Sequence, residues 1–267
     1  MKALKEIFSS VFNVLVILIC GALGYVIYKY IMGNPLNFID GNPNGHPIQG
    51  NYLGIIYRGG FIVPVLMTTI LVLLTFVIER FISLSRASGK GRISNFLRTI
   101  QNLLKENKIE DAAAACDRQK GSLANVVKAG LFRYRDLQGD HTLANDQKVL
   151  SLQKDLEEAT ALELPMLSKN LVFLSTIASI SVLLGLIGTV LGMIRAFGAM
   201  ATQGAPDAIA LSNGISEALV NTAFGISGST IAIIAYNFFS SKIDSMTFKI
   251  DEANFSLVQT FASTLKK

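Results

Sequence analysis

Tryptophan is absent, cysteine and histidine occur twice each, and charge is scarce: Asp, Glu, Lys and Arg make up 16% of the 267 residues. Soluble domains average about 25% charged residues, so this composition excludes a conventional soluble enzyme of one or two domains. The 51% hydrophobic content excludes a disordered chain. Cys20 and Cys116 have no metal-ligand spacing around them, which rules out both a disulfide scaffold and a zinc module. No Ser/His/Asp set, Gly-rich phosphate loop or paired carboxylate site emerges, so no enzyme activity and no cofactor are expected. His46 and His141 stand alone in polar loops. No internal repeat supports the duplicated architecture of many secondary transporters. What the chain does have is long apolar runs, with a mean hydropathy of +0.45. It reads as an integral membrane protein.

A membrane-spanning helix needs about 20 mostly apolar residues. Four stretches meet that requirement: Ile7 to Tyr28, Phe61 to Ile78, Asn170 to Ile194 and Ala218 to Ser241. The first has a basic start at Lys2 and Lys5, but no small-x-small cleavage site follows it. It is expected to be an uncleaved transmembrane helix, with a cleaved or interfacial segment as the alternative. Between Ser83 and Lys169 there are 14 Lys plus Arg, whereas Arg58 is alone between Gly33 and Gly60, and none lies between Phe197 and Glu217. Positive charge marks the cytoplasmic side, and Arg80 and Arg86 beside a helix end are the strongest markers. The large loop and the C-terminus are therefore expected in the cytoplasm. Tyr25, Tyr28, Tyr30, Tyr52 and Tyr57 cluster toward the opposite face, as an aromatic belt in place of the missing Trp. The net charge of +5 then reflects membrane orientation, and no basic stripe with interleaved aromatics suggests nucleic acid.

The expected fold is all-α: three long transmembrane helices, an extra N-terminal one, and a helical cytoplasmic domain. The corresponding segments are 1–32 (transmembrane or interfacial helix), 33–60 (periplasmic loop), 61–82 (transmembrane helix) and 83–168 (cytoplasmic helical domain). They continue as 169–197 (transmembrane helix), 198–213 (periplasmic loop), 214–241 (transmembrane helix) and 242–267 (cytoplasmic C-terminal helix). Within the cytoplasmic domain, Ile93, Phe96, Leu97, Ile100, Leu103 and Leu104 recur at helical spacing. Pro165 alone interrupts the run into the third membrane segment, as a kink or as the point where the membrane begins. The stretch around Gly41-Asn42-Pro43-Asn44-Gly45 reads as an external loop.

Ionisable residues inside a membrane are the default functional candidates, and the third and fourth segments contain none. Lys29, Glu79, Arg80, Arg195, Glu217 and Lys242 all fall at expected helix ends, where side chains can snorkel into water. A protein of this kind that moves ions must borrow its titratable group from a partner. The two segments do carry hydroxyls. Ser175, Ser179, Val182, Leu186, Thr189 and Met193 fall on one helical stripe, and Thr222, Gly225, Ser229 and Tyr236 on another. Thr189 lies six residues before Arg195 and Thr222 five residues after Glu217, which puts both hydroxyls at similar depth. Two readings stand side by side: hydroxyls lining a pore, or hydroxyls bonded back to their own helix. Gly188-x-x-x-Gly192 and Gly225-x-x-x-Ser229 read as helix-packing devices. Placement at a helix's positive end explains Glu217 as well as an ion role does.

The run Leu183-Leu184-Gly185-Leu186-Ile187-Gly188-Thr189-Val190-Leu191-Gly192-Met193 resembles the LLGLLGTVxGM signature of the MotA/TolQ/ExbB proton-channel family. Gly214-Ile215-Ser216-Glu217-Ala218-Leu219, followed by Asn221-Thr222-Ala223-Phe224-Gly225, resembles that family's GIxEALxxTAxGL segment. Ala115-Cys116, Ser122-Leu123-Ala124 and Ala129-Gly130-Leu131 look like its ExbB/TolQ branch. The resemblance covers about residues 61–245. It implies an inner-membrane homopentamer embedded in lipid, with the third and fourth segments lining a central pore. An ExbD- or TolR-like partner would place an Asp in that pore, and a TonB- or TolA-like protein would receive the force. Thr189 and Thr222 would be the pore threonines and Glu217 the acid near the outer mouth. Two features depart from the pattern: the candidate helix at 7–28, where ExbB and TolQ usually have three membrane helices, and Arg195, where a neutral polar residue is more usual. The reading favoured is an ExbB-like subunit that energises TonB-dependent transport. A TolQ-like envelope-maintenance subunit, a passive membrane scaffold and a solute carrier are the alternatives.

Overall fold

A computed structural model describes residues 2–43, 45–139, 142–201 and 208–265; His141 falls outside them. No strand forms among the described residues, where Phe38 and Pro47 make an isolated bridge. The helices are α1 (Lys2–Val26), α2 (Tyr52–Tyr57), α3 (Ile62–Ala87), α4 (Ile93–Lys105), α5 (Ile109–Gln119), α6 (Gly121–Gly139), α7 (Asn145–Ser168), α8 (Leu171–Met200) and α9 (Ala208–Thr264). Four stretches are long and apolar enough to cross a membrane: Asn13–Met32, α3, the span containing α8, and α9. The chain is an all-α, multi-pass membrane protein. It divides into two compact units, one of residues Met1–Ile78 and Val172–Tyr236, the other of Glu79–Leu171 and Asn237–Lys267.

In the first unit, apolar side chains face outward. Leu18, Val172, Ile194, Leu219 and Ile234 are all more than 60% exposed, which in lipid is no penalty. The buried positions are small or shape-matched. Gly24 of α1 lies against Thr68 and the Pro64 carbonyl of α3, where a Cβ would stand 3.0 Å from Thr68 Oγ1. Phe76 of α3 stacks on Phe173 of α8 with centroids 4.3 Å apart.

α1 continues as a π turn, Ile27–Met32, into a compact cap built on Asn37. The Asn37 Nδ2 donates to the carbonyls of Ile31 (2.8 Å) and Met32 (2.9 Å), and its Oδ1 accepts from Asn51 Nδ2 (3.0 Å). Asn51 in turn caps α2, accepting from the amides of Leu53 and Gly54. The expected external loop thus contains a short helix, because asparagine side chains replace backbone partners there. The Tyr cluster also divides. Tyr25, Tyr30 and Tyr52 are exposed, whereas Tyr28 and Tyr57 stack 4.6 Å apart, and the Tyr28 hydroxyl donates to the Tyr57 carbonyl.

The second unit is a helical bundle with an aliphatic core. Phe96, Ile100 and Leu104 of α4 meet Leu131 and Tyr134 of α6, with Leu152 and Leu156 of α7 and Leu257 and Phe261 of α9 in the same cluster. Gly130 of α6 leaves the room into which Leu156 and Leu257 pack. The Tyr134 ring lies 4.6 Å from Phe261, and its hydroxyl pairs with Thr264 at 3.0 Å. The C-terminal part of α9, a helix of 57 residues, belongs to this bundle.

Pro165 does not break α7. The helix passes through it and ends at Ser168, and the turn comes at Asn170, which has φ +62°. Arg80 corrects the snorkelling expectation: it is 1% exposed, and it donates through Nε and Nη2 to both oxygens of Glu79 (2.7 and 2.6 Å) and through Nη1 to the Leu167 carbonyl (3.2 Å). The last carbonyls of a helix have no partner within it, and the buried guanidinium supplies one at the end of α7.

Cys116 is buried in this bundle, and burial, reinforced by Asp117 and opposed by Lys128, pushes its thiol up to about 12. An unfolded thiol ionises near 8.5. The stability tied to the protonated thiol is thus fully present below about 8.5 and is lost as pH rises toward 12. In a Cys20→Ala background at pH 8.5, Cys116 is expected to react with a maleimide at least about 100-fold more slowly in the folded chain than in denaturant. Equal rates would contradict this burial.

Candidate functional site

α8 and α9 run antiparallel in direct backbone contact within the first unit. A Cβ added at Gly225 would stand 2.6 Å from the Ser181 carbonyl oxygen and 2.8 Å from Gly185 Cα. One at Gly192 would stand 2.7 Å from the Gly214 carbonyl oxygen, and one at Gly214 2.7 Å from the Ala196 amide nitrogen. Gly188 lies against the Asn221 side chain. Ser229 donates to the Ala178 carbonyl at 2.6 Å, closing the far end of the seam. Small residues allow this approach, and dispersion between closely packed backbones holds helices together where lipid offers no hydrophobic drive.

The seam fixes the relative depth of the two threonines. Gly185 meets Gly225, Gly188 meets Asn221 and Gly192 meets Ala218, each step along one helix matched by a step back along the other. Thr189 and Thr222 each come one residue after the Gly188–Asn221 contact, in opposite directions along the seam, so they stand about 3 Å apart in depth. Both hydroxyl protons go to their own helix: Thr189 Oγ1 donates to the Leu186 carbonyl at 2.6 Å and Thr222 Oγ1 to the Ala218 carbonyl at 3.2 Å. Each oxygen keeps its lone pairs free to accept. The stripe through Leu186, Thr189 and Met193 lies beside the seam rather than in it, and Leu186 and Met193 are exposed. Thr189, Val190, Met193, Ile194 and Phe197 line an open cavity of about 490 Å³ on that side.

Arg195 and Glu217 do not reach out to water independently, as their places at helix ends suggested. Arg195 Nη1 donates to both carboxylate oxygens of Glu217, at 2.5 and 2.6 Å. The Glu217 side chain is 8% exposed and that of Arg195 55%. The register that pairs Gly192 with Ala218 brings them within about 3 Å in depth, and a buried carboxylate needs a partner. Gly60, at φ +75°, backs the carboxylate, and any Cβ there would strike Glu217 Oε1. A cavity of about 410 Å³ adjoins the pair, lined by Tyr28, Tyr57, Arg58, Asn213, Arg195 and Glu217.

Two buried polar residues of the seam escaped the sequence reading. Asn221 donates through Nδ2 to the Gly59 carbonyl at 2.9 Å, and its Oδ1 is buried with no partner. The Ser181 hydroxyl is likewise buried and without a partner. An amide inside an apolar run was the available signal for Asn221. Ser181 is one of several similar hydroxyls, and nothing in the sequence distinguishes it. Among the described residues no group of His, Cys, Asp and Glu can hold a metal ion.

A family model described as the MotA/TolQ/ExbB proton channel family matches residues 119–252. A biopolymer transport protein of Synechocystis sp., ExbB-like 3, is 41% identical over 88 residues, 32% of this chain and 42% of that protein. The Tol-Pal system protein TolQ of Pseudomonas aeruginosa is 32% identical over 117 residues, 44% of this chain and 51% of TolQ. The biopolymer transport protein ExbB of Helicobacter pylori is 38% identical over 96 residues, 36% of this chain and 66% of that protein. The chain spans about half the length of the first two relatives. Thr189, Arg195, Glu217 and Thr222 fall inside the family match, whereas Tyr28, Tyr57 and Gly60 fall outside it.

The uneven exposure of the ion pair predicts uneven mutants. Arg195→Ala leaves a buried carboxylate unpaired and is expected to cost about 2 kcal/mol, less than the 3–5 kcal/mol of a pair buried at both ends. Glu217→Gln leaves an arginine that water can solvate, and is expected to cost less than half as much. Thermal unfolding in detergent measures both; equal losses would contradict the asymmetry.

Proposed function

The chain belongs to the MotA/TolQ/ExbB proton channel family, and from that premise we propose that it is an ExbB-like subunit of an inner-membrane proton channel. This family consists of transport subunits and is not a known enzyme family. In our reading the subunit uses the proton motive force to energise TonB-dependent transport across the outer membrane. Five copies surround a central pore, and an ExbD- or TolR-like partner places a membrane helix bearing an Asp in that pore. The C-terminus and the bundle carrying most of the Lys and Arg lie in the cytoplasm, consistent with their charge. A TonB-like protein spanning the periplasm takes up the force.

The observation that carries this reading is the pair of threonines at similar depth on helices otherwise empty of charge. Each has committed its proton to its own helix, so each offers an acceptor. A protonated carboxyl can donate to such an oxygen, whereas an ionised carboxylate, itself acceptor-only, gains nothing from it. Thr189 and Thr222 therefore favour the neutral partner Asp, the form in which a proton crosses the dry part of the membrane. The exposed apolar face beside Thr189 supplies room for a partner helix. Glu217, held by Arg195, stands toward the outer end of the same helices.

A TolQ-like role in envelope maintenance uses the same site with a TolR- and TolA-like set of partners. It draws support from the 117-residue match to TolQ. Genomic neighbours encoding a TonB homologue or a Tol-Pal system separate the two.

Proton flux into liposomes holding this chain and its membrane partner tests the channel. Replacing both hydroxyls with isosteric methyls, Thr189→Val plus Thr222→Val, is expected to lower flux about tenfold or more, the effect of ~1.4 kcal/mol on the barrier. Unchanged flux in a complex that still assembles would sink the proposal and leave the passive scaffold standing. Solute uptake by the purified chain alone would favour a carrier.

A further inference from the structure

We propose that the open cavity of the second unit, where α3 ends and the apolar stretch of α9 gives out, binds the phosphate headgroup of an anionic membrane lipid. The cavity has a volume of about 890 Å³, within the range of small-molecule sites. Arg92, Lys242 and Lys249 line it, and among the described residues none of the three is in a salt bridge. Glu252 is the one acid in the lining, so positive charge exceeds negative by two. Lys242 and Lys249 are half-buried, and Lys242 Nζ rests 5.8 Å from the centre of the Phe81 ring. Two amines partly withdrawn from water and held in no salt bridge among the described residues are a cost that an anionic ligand lowers.

The rest of the lining suits a phosphodiester attached to lipid. Ser94, Ser241 and Ser245 contribute hydroxyls. The chain turns through Gly89 (φ +74°) and Gly91 (φ +81°) to bring Arg92 to the start of α4, which has no side-chain cap. Apolar surface adjoins this polar floor: Phe238 and Leu97 line the same cavity, and Phe238 is 54% exposed. Phe238 still belongs to the apolar stretch of α9, whereas Lys242 is the first charge beyond it. The cavity therefore sits at headgroup depth, with a wall able to meet a glycerol and the first acyl carbons. A soluble phosphate would use the bases and leave that wall unused. Basic pockets at this depth attract anionic headgroups in general, and nothing in this inference depends on proton conduction.

The test uses the delipidated full chain in detergent, titrated with short-chain phosphatidylglycerol, short-chain phosphatidylcholine and inorganic phosphate. Binding is read by thermal midpoint and by ligand retention in native mass spectrometry. Phosphatidylglycerol is expected to raise the midpoint by several degrees and phosphatidylcholine to leave it unchanged. Arg92→Gln, Lys242→Gln and Lys249→Gln combined should weaken phosphatidylglycerol at least tenfold, and Lys249→Gln alone about threefold. Glu252→Gln should tighten it by a similar factor, which gives a reading even where the triple variant does not fold. Equal binding of the two lipids, or no response to any of these variants, overturns the site. Inorganic phosphate that binds alone as well as phosphatidylglycerol, with the same dependence on the three bases, overturns the lipid as its occupant.

Discussion

The backbone contact between α8 and α9 is the constraint on which the membrane unit depends. In water, two helices with glycine at Gly185, Gly192, Gly214 and Gly225 would gain little by meeting, because there is no apolar side chain to bury. In lipid the balance reverses. Leucine and isoleucine are as comfortable facing acyl chains as facing protein, so they move outward, and the seam goes to residues that let backbones approach. The same pressure reaches α1, which meets α3 at Gly24 while Leu18 and Leu23 face away.

So close a contact fixes what can happen to every polar group within it. Ser229 gives its proton across the seam to the Ala178 carbonyl, and Asn221 spends its amide on Gly59. Thr189 and Thr222 turn inward on their own helices. The carboxylate of Glu217 is held by one guanidinium nitrogen on its open side and backed by Gly60 on the other. Apart from the Ser181 hydroxyl these donors are committed, and the threonine oxygens keep acceptor capacity. The buried Oδ1 of Asn221, with no donor in this chain, belongs to the same imbalance.

Much of this is legible in the sequence. Apolar length marked the membrane spans, and the Phe96, Ile100 and Leu104 spacing marked the buried face of α4. Counting inward from Arg195 and Glu217 puts Thr189 and Thr222 at similar depth, and the glycine contacts of the seam place them about 3 Å apart in depth. The pairing itself was not legible, since a charge at a helix end looks the same whether it snorkels or is captured from a neighbouring helix. Arg80 was obscure for that reason too: its partner is a carbonyl, Leu167, that becomes available only because α7 stops at Ser168. Pro165 drew attention away from that stop, which a left-handed asparagine makes. Asn37 and Asn51 read as loop composition, and only their mutual bonding turns the external segment into a cap.

In the channel proposed above, the positions of charge and of acceptors together define what a second component would have to bring. An ion passing along α8 and α9 would meet no group that can take up a proton between Arg195 and Glu217 at one end and Lys169 and Lys242 at the other, because neither helix carries one there. It meets oxygen atoms already relieved of their protons. A lone carboxyl from another chain, placed at that depth, would be stabilised in its neutral form by those acceptors and by the surrounding apolar surface, and in its charged form only by water reaching it from one side or the other. An environment of that kind does not conduct by itself. It sets the condition under which a carboxyl must lose its proton to return to water, and in the channel proposed above that condition, set by Thr189 and Thr222 on glycine-packed helices, would be this chain's contribution to the cycle.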